Sequence, residues 1–330
     1  MLFDSTVRDA CFAEGRPPED IDEVFTWARN QLGRAARSWR LISARRKLGR
    51  TLFEVEEETA SGRRRLIGKL GHPEREATLY HTLIALRDAG FRPPAKFTVP
   101  EPVAFIPERG FVLQEKAPGN SSWELLAGGG GAEQSAAMNC AEWLARLHRC
   151  PVTAKQDNIE NEAVLRWASG LQSAEPREAP RIKKITQAVL HRTAEPEPIR
   201  MLPSHGDFHP GNIFVAGSER VTGIDIDKFA HREPEADIGW FLMQTAAFGF
   251  FEKGTFQWTA AARSAFLDGY ELHAHVPINA RRAALYMALA FLKNLHFELV
   301  LLNTGRKEFA EPWLWAAETA ILDGNLQLSR

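Results

Sequence analysis

Apolar residues recur along this chain at two different spacings, and each change of spacing marks a new kind of element. Over 20–32, Ile21, Val24, Phe25, Ala28 and Leu32 share one face behind a first turn of acids, which predicts an amphipathic helix. From 38 to 70 the period shortens. Trp39, Leu41 and Ser43 alternate with Arg40 and Ile42, followed by Leu52-Phe53-Glu54-Val55-Glu56 and Arg65-Leu66-Ile67-Gly68-Lys69-Leu70. Three short antiparallel strands joined by hairpins are expected there. Helical spacing returns at 73–88, opened by Pro73 and closed by Gly90. Two more strands are expected at 98–105 and 110–115. Beyond 117–120 the pattern is helical, beginning with a capping box at Ser121 to Glu124. The glycines 128–131 lack the Gly-Lys-Ser/Thr of a phosphate loop and read as a flexible link. Residues 151–200 and the C-terminal stretch are helical, the latter dense in Ala, Leu, Phe and Trp.

These elements divide the chain into a helical extension (1–37), a small mostly antiparallel lobe with one helix (38–117), and a larger, mainly helical lobe (118–330). The fold class is α+β. The length of 330 residues suits two lobes, and 44% apolar with 25% charged residues is ordinary globular composition. With 41 basic and 42 acidic residues the net charge is −1, which argues against a nucleic-acid partner. No window holds 18 consecutive apolar residues, so no membrane span is expected. Cys11, Cys140 and Cys150 have no metal-ligand spacing, and the N-terminus has an acid at its fourth position with no long apolar run behind it. A cytoplasmic protein with reduced thiols is expected.

The chemistry is concentrated in 204–227. The run Ser204-His205-Gly206-Asp207-Phe208-His209-Pro210-Gly211-Asn212 leads into an apolar stretch, a turn at 216–220, and a second apolar stretch ending Ile224-Asp225-Ile226-Asp227. Partner numbers in a hairpin have a constant sum. A turn centred near Ser218 therefore sets Asn212 opposite Ile224 or Asp225, and strand alternation places Asp225 and Asp227 on one face. One acid, one amide and two further acids meet at one end of the hairpin. Oxygen donors of this kind suit a hard cation such as magnesium, with Asn212 and Asp225 as ligands. Asp207 would then accept a hydrogen bond from a substrate hydroxyl. Turn capping is the plainer role for Asp207 or Asn212 alone, but it does not account for the whole set.

His205-Gly206-Asp207, Asn212 five residues on, and Ile224-Asp225 beyond the turn resemble the signature of the aminoglycoside phosphotransferase and choline kinase-like family, itself similar to the protein kinases. The order of elements matches over roughly 38–300. The resemblance implies a two-lobed kinase-like fold and ATP-dependent transfer of a phosphoryl group to a hydroxyl of a small molecule. It assigns catalysis to Asp207 with Asn212 and Asp225, and magnesium to Asn212 and Asp225. His205, Asp227 and Asp237 are supporting residues, with Asp237 of Glu235-Ala236-Asp237-Ile238-Gly239 bracing the catalytic loop. His205 reads as a packed loop residue rather than an acid or base. The helix end Leu144-Ala145-Arg146-Leu147-His148 also resembles the family.

In the small lobe Lys69 matches the lysine that reaches the α- and β-phosphates. At about 100° per residue, Leu79, Leu83 and Leu86 cluster on the inward face; Glu76 joins them and Glu74 points away. Glu76 is therefore the expected partner of Lys69, though a first-turn acid also favours the helix dipole. Gln114, Glu115 and Lys116 match the hinge whose backbone binds adenine. The loop 44–50 has one glycine and no G-x-G-x-x-G, a departure from kinase glycine loops.

The acceptor is expected to be a small hydroxyl compound such as a sugar or amino alcohol. Residues 151–200 hold 7 acids and 8 bases, and 271–330 hold 6 of each, which does not favour a polycation. An aminoglycoside-modifying kinase and a catalytically silent nucleotide-binding regulator are the alternatives.

Overall fold

The computed structural model describes residues 38–328, except 48, 60–61, 129–130, 218–219 and 275–276. The expected N-terminal helical extension and Cys11 lie outside the described residues. The chain forms two compact units: residues 38–120 together with Ile213–Lys228, and 121–212 together with the rest from Phe229. The hairpin carrying Asp225 groups with the first unit.

The first unit is built on an antiparallel sheet of β1 (Ser38–Lys47), β2 (Arg50–Thr59), β3 (Gly62–Leu70), β5 (Pro102–Ile106) and β6 (Phe111–Glu115), in the order β1-β2-β3-β6-β5. One face buries Phe53, Val55, Leu66, Ile106, Phe111 and Leu113 together. The register pairs Lys69 with both Leu52 and Val112, and Ile67 with Gln114. Alternation therefore puts Lys69, Ile67 and Gln114 on the opposite face. Helix α1 (Pro73–Asp88) begins at Pro73 and buries Glu76, Leu79, Leu83 and Leu86 while Glu74 is exposed, the inward face that helical spacing predicts.

The strand expected at 98–105 is two strands. Pro100 and Pro102 lack the amide hydrogens a continuous ladder needs. Consequently β4 (Phe97–Thr98) leaves the main sheet and pairs in parallel with the hairpin strand Arg220–Gly223, where the Thr98 and Thr222 hydroxyls share a 2.8 Å hydrogen bond. That strand pairs antiparallel with Ile213–Ala216 in the register Gly223 to Ile213 and Thr222 to Phe214, so the hairpin is centred where the sequence places it.

The second unit is mainly helical. Ala132–His148 packs on Ala260–Ala274, and Pro234–Lys253 packs on Ala280–His296. The capping box forms: Ser121 N–H donates to Glu124 Oε2 at 2.8 Å, and Glu124 N–H to Ser121 Oγ at 3.4 Å. Aromatic rings hold the interior, with Phe241 and Phe266 stacked at 3.7 Å between centroids. Against the expectation of no spanning segment, the helical stretch Ala280–Leu301 is long and apolar enough to cross a membrane. Yet 67% of its apolar window is buried inside the molecule, as befits a core helix. Cys140 and Cys150 are buried free thiols, and burial pushes Cys140 up to about 12.

Candidate active site

In the first unit the chain brings three cations and three carboxylates together. Lys69 Nζ donates to Asp225 Oδ1 at 2.6 Å and to Asp227 Oδ1 at 3.5 Å. Arg50 Nη1 donates to Asp227 Oδ2 at 2.7 Å, and Arg75 Nη2 reaches the same oxygen at 2.6 Å. Glu76 is fully buried and accepts from Arg50 Nε at 2.8 Å and Nη2 at 2.5 Å. Glu76 is thus the inward acid of α1, but its partner is Arg50 and not the expected Lys69. The reason is geometric: both carboxylate oxygens are taken by the planar guanidinium fork, while the Lys69 ammonium is drawn to Asp225.

Asp225 and Asp227 do meet, though not by strand alternation. The ladder ends at Gly223, and Asp225 adopts a left-handed backbone, φ 62°. The bend turns both carboxylates toward Lys69. Asp227 is nearly buried whereas the Asp225 side chain is 38% exposed. Burial raises the Asp227 carboxyl, but Lys69, Arg50 and Arg75 outweigh burial and the Asp225 charge and hold it below its ordinary value. Burial alone would lower Arg50. The Glu76 hydrogen bonds and the charges of Asp227, Glu76 and Asp225 reverse that and keep the guanidinium charged.

At the expected hinge, Glu115 N–H donates to Glu101 O at 2.8 Å and Lys116 N–H to Arg65 O at 2.9 Å. These two amides are committed inside the unit, and Lys116 Nζ is bound to Glu54 at 2.8 Å. Gln114 is buried, and its Oε1 has no hydrogen-bond partner among the described residues.

The second unit carries the loop 205–212. Gly206 has φ 81°, which lets the chain turn sharply before Asp207. Asp237, in the first turn of Pro234–Lys253, accepts His205 N–H at 2.7 Å and Gly206 N–H at 2.8 Å. His148 Nε2 lies 3.3 Å from Asp237, and its Nδ1 lies 2.7 Å from the Tyr270 hydroxyl. Full burial would raise Asp237; the His148 hydrogen bond, the field of His148 and His205, and the Gly206 amide bring it below its ordinary value. His205 is buried beside Trp143 and Phe208, and its Nδ1 accepts the Asp207 amide at 3.3 Å. Phe208 stacks on Trp143 and Phe241 and so anchors the loop at Asp207's neighbour. Asn212 Nδ2 donates to the Asp207 carbonyl at 2.9 Å, which leaves its Oδ1 as the acceptor atom.

Sequence reasoning placed Arg50 only in a basic loop that could meet phosphates, and it missed Arg75, Tyr270 and the role of His148. Arg50 was within reach: 50, 52 and 54 share one face of β2, and Leu52 pairs with Lys69. The contacts of Tyr270 left no local signal.

The fold is that of the protein kinase-like phosphotransferases. The family model described as the phosphotransferase enzyme family matches residues 27–296, and the chain belongs to that family. Solved structures agree on the fold. A spectinomycin phosphotransferase in complex with ADP and spectinomycin is 12% identical, with TM-score 0.63, 94% of this chain and 100% of that one covered. Choline kinase LicA from Streptococcus pneumoniae is 14% identical, with TM-score 0.61 and coverage of 92% and 100%. A choline/ethanolamine kinase family protein from Mesorhizobium loti is 16% identical, with TM-score 0.61 and coverage of 93% and 97%. No curated protein matches the chain.

Proposed function

We propose that this phosphotransferase moves the γ-phosphoryl group of ATP to a hydroxyl of a small molecule. The observation that carries the reading is the 2.6 Å contact of Lys69 with Asp225, a cation and an acid 156 residues apart in sequence. A triphosphate needs fixed positive charge, and Lys69, Arg50 and Arg75 supply it on one cluster. The unpartnered Gln114 Oε1 on the Lys69 face fits a purine edge. Asn212 Oδ1 and the Asp225 carboxylate are hard oxygen donors of the type magnesium takes.

When bound, magnesium would neutralise charge on the phosphate oxygens. Asp207 orients the acceptor hydroxyl and takes its proton late, as the new oxygen–phosphorus bond forms and the bond to the β-phosphate oxygen breaks, releasing ADP. Positioning and charge stabilisation supply most of the rate in such a loose transition state. Asp237 holds the loop so that Asp207 does not wander. His205 has a structural place, because it is buried among rings.

The acceptor is a neutral or singly charged metabolite, such as a sugar or amino alcohol. The balance of acids and bases in 151–200 and 271–330 offers no acidic field for a polycation. Labelled ATP incubated with separate panels of sugars, amino alcohols and aminoglycosides tests this. Efficient labelling confined to the aminoglycosides replaces the reading with that of a resistance enzyme; no transfer to any panel, with nucleotide still bound, favours a silent regulator.

A further inference from the structure

We propose that Arg50 is a positioning residue of the nucleotide site: it takes Glu76 as its partner in place of Lys69 and fixes Asp227, leaving the Lys69 ammonium to Asp225 and the nucleotide phosphates. The proposal rests on the function above and assigns work that the sequence gives to another residue.

Both oxygens of Glu76 are occupied by Arg50, Oε1 by Nε at 2.8 Å and Oε2 by Nη2 at 2.5 Å. The remaining nitrogen, Nη1, binds Asp227 Oδ2 at 2.7 Å and lies 3.7 Å from Asp225 Oδ1. One planar group thus ties the first turn of α1 to the segment that carries both aspartates. A lysine has no fork and cannot make this connection. Arg50 is only 5% exposed, so it is not a solvated surface charge that happened to fold inward.

The charges explain why the arrangement matters. Glu76 is fully buried and needs a cation. If Lys69 served it, Asp225 and the incoming phosphates would lose that lysine. With Arg50 in the role, Glu76 is compensated and Lys69 stays with Asp225 at 2.6 Å.

A second observation comes from the backbone beside the pair. A Cβ at Gly71 would stand 2.5 Å from Glu76 Oε1 and 3.3 Å from Arg50 Cγ. The backbone there cannot easily retreat, since Gly71 N–H is bonded to Gly110 O at 2.9 Å. The chain closes tightly over the Arg50–Glu76 pair, so a side chain at 71 would have to displace the Glu76 carboxylate from Arg50.

Two double-mutant cycles in urea unfolding, without nucleotide, test the partnership. One combines Arg50→Met with Glu76→Gln; the other combines Lys69→Met with Glu76→Gln. Stronger coupling is expected in the first than in the second, because Lys69 acts on Glu76 only through its charge and the shared Asp227. Should Arg50→Met fail to fold, Arg50→Lys, which keeps the charge and loses the fork, replaces it. Calorimetry with magnesium-ADP then separates positioning from mere packing. The Arg50→Met/Glu76→Gln variant should unfold cooperatively near the wild-type midpoint, yet bind magnesium-ADP about tenfold or more weakly, because Asp227 has lost one of its two buried cations and keeps only Lys69 and the exposed Arg75. Gly71→Ala should weaken magnesium-ADP in the same direction without changing any charge. Coupling in the Lys69 cycle equal to or larger than that in the Arg50 cycle, or wild-type magnesium-ADP affinity in the double variant, overturns the proposal. Failure of the wild-type chain itself to bind magnesium-ADP would sink the function; the unfolding cycles, which use no nucleotide, tell the two failures apart.

Discussion

Asp237 accepts the backbone amide of His205 at 2.7 Å, and its other oxygen takes the amide of Gly206 at 2.8 Å. One buried carboxylate thereby fixes two consecutive peptide units immediately before Asp207. His148 and Tyr270 continue the chain of hydrogen bonds behind it.

Removing that charge should loosen the loop. Asp237→Asn keeps the shape but can satisfy only one amide with its oxygen. The expected loss is about 1–3 kcal/mol of stability, measured by urea unfolding. The pH dependence follows from the depressed carboxyl. Its stabilisation is complete above the unfolded value near pH 4 and is lost as pH falls through the lower folded value. Unfolding free energies between pH 6 and 3 should therefore drop in the wild type and drop less in Asp237→Asn. Identical slopes would show that Asp237 is not the group responsible.

Asp207→Asn should abolish transfer, by roughly 10²–10⁴-fold, while nucleotide affinity stays within about tenfold. Turnover with labelled ATP and calorimetry with magnesium-ADP give the two readings. Wild-type turnover would remove Asp207 from the mechanism.

Asp225→Asn should weaken magnesium-ATP roughly 10–100-fold, since Asp225 is the one full negative charge assigned to the metal. Titration at several magnesium concentrations checks it. Unchanged affinity and unchanged magnesium dependence would hand the ligand role to Asp227.

Gly211→Ala tests the loop by steric means. Its Cβ would lie 2.4 Å from Trp123 Nε1 and 2.9 Å from His209 Cε1. Overpacking of this kind costs about 1–3 kcal/mol. A shift of about 1 Å at the adjoining Asn212 would lower turnover roughly 10²-fold. A folded variant with full activity would show that the loop tolerates displacement.

Local order was legible along the chain. The period-two stretches became β1 to β3, Pro73 opened α1 with Glu76 inward, and the hairpin centre fell near Ser218, all from spacings of a few residues. The motif residues Asp207 and Asn212 could be singled out for the same reason, because the loop that carries them is contiguous. What the spacing could not reach was the choice among competing partners. Lys69, Arg50 and Arg75 are all near Asp227, and the pairings span 26 to 177 residues of sequence. Alternation assigned Asp225 and Asp227 to one strand face, but the ladder stopped at Gly223 and a left-handed Asp225 turned them instead. Glu76 went to the cation whose planar fork could satisfy both of its oxygens in a fully buried place. Burial and hydrogen-bond geometry decide such contests, and both exist only once distant segments have packed.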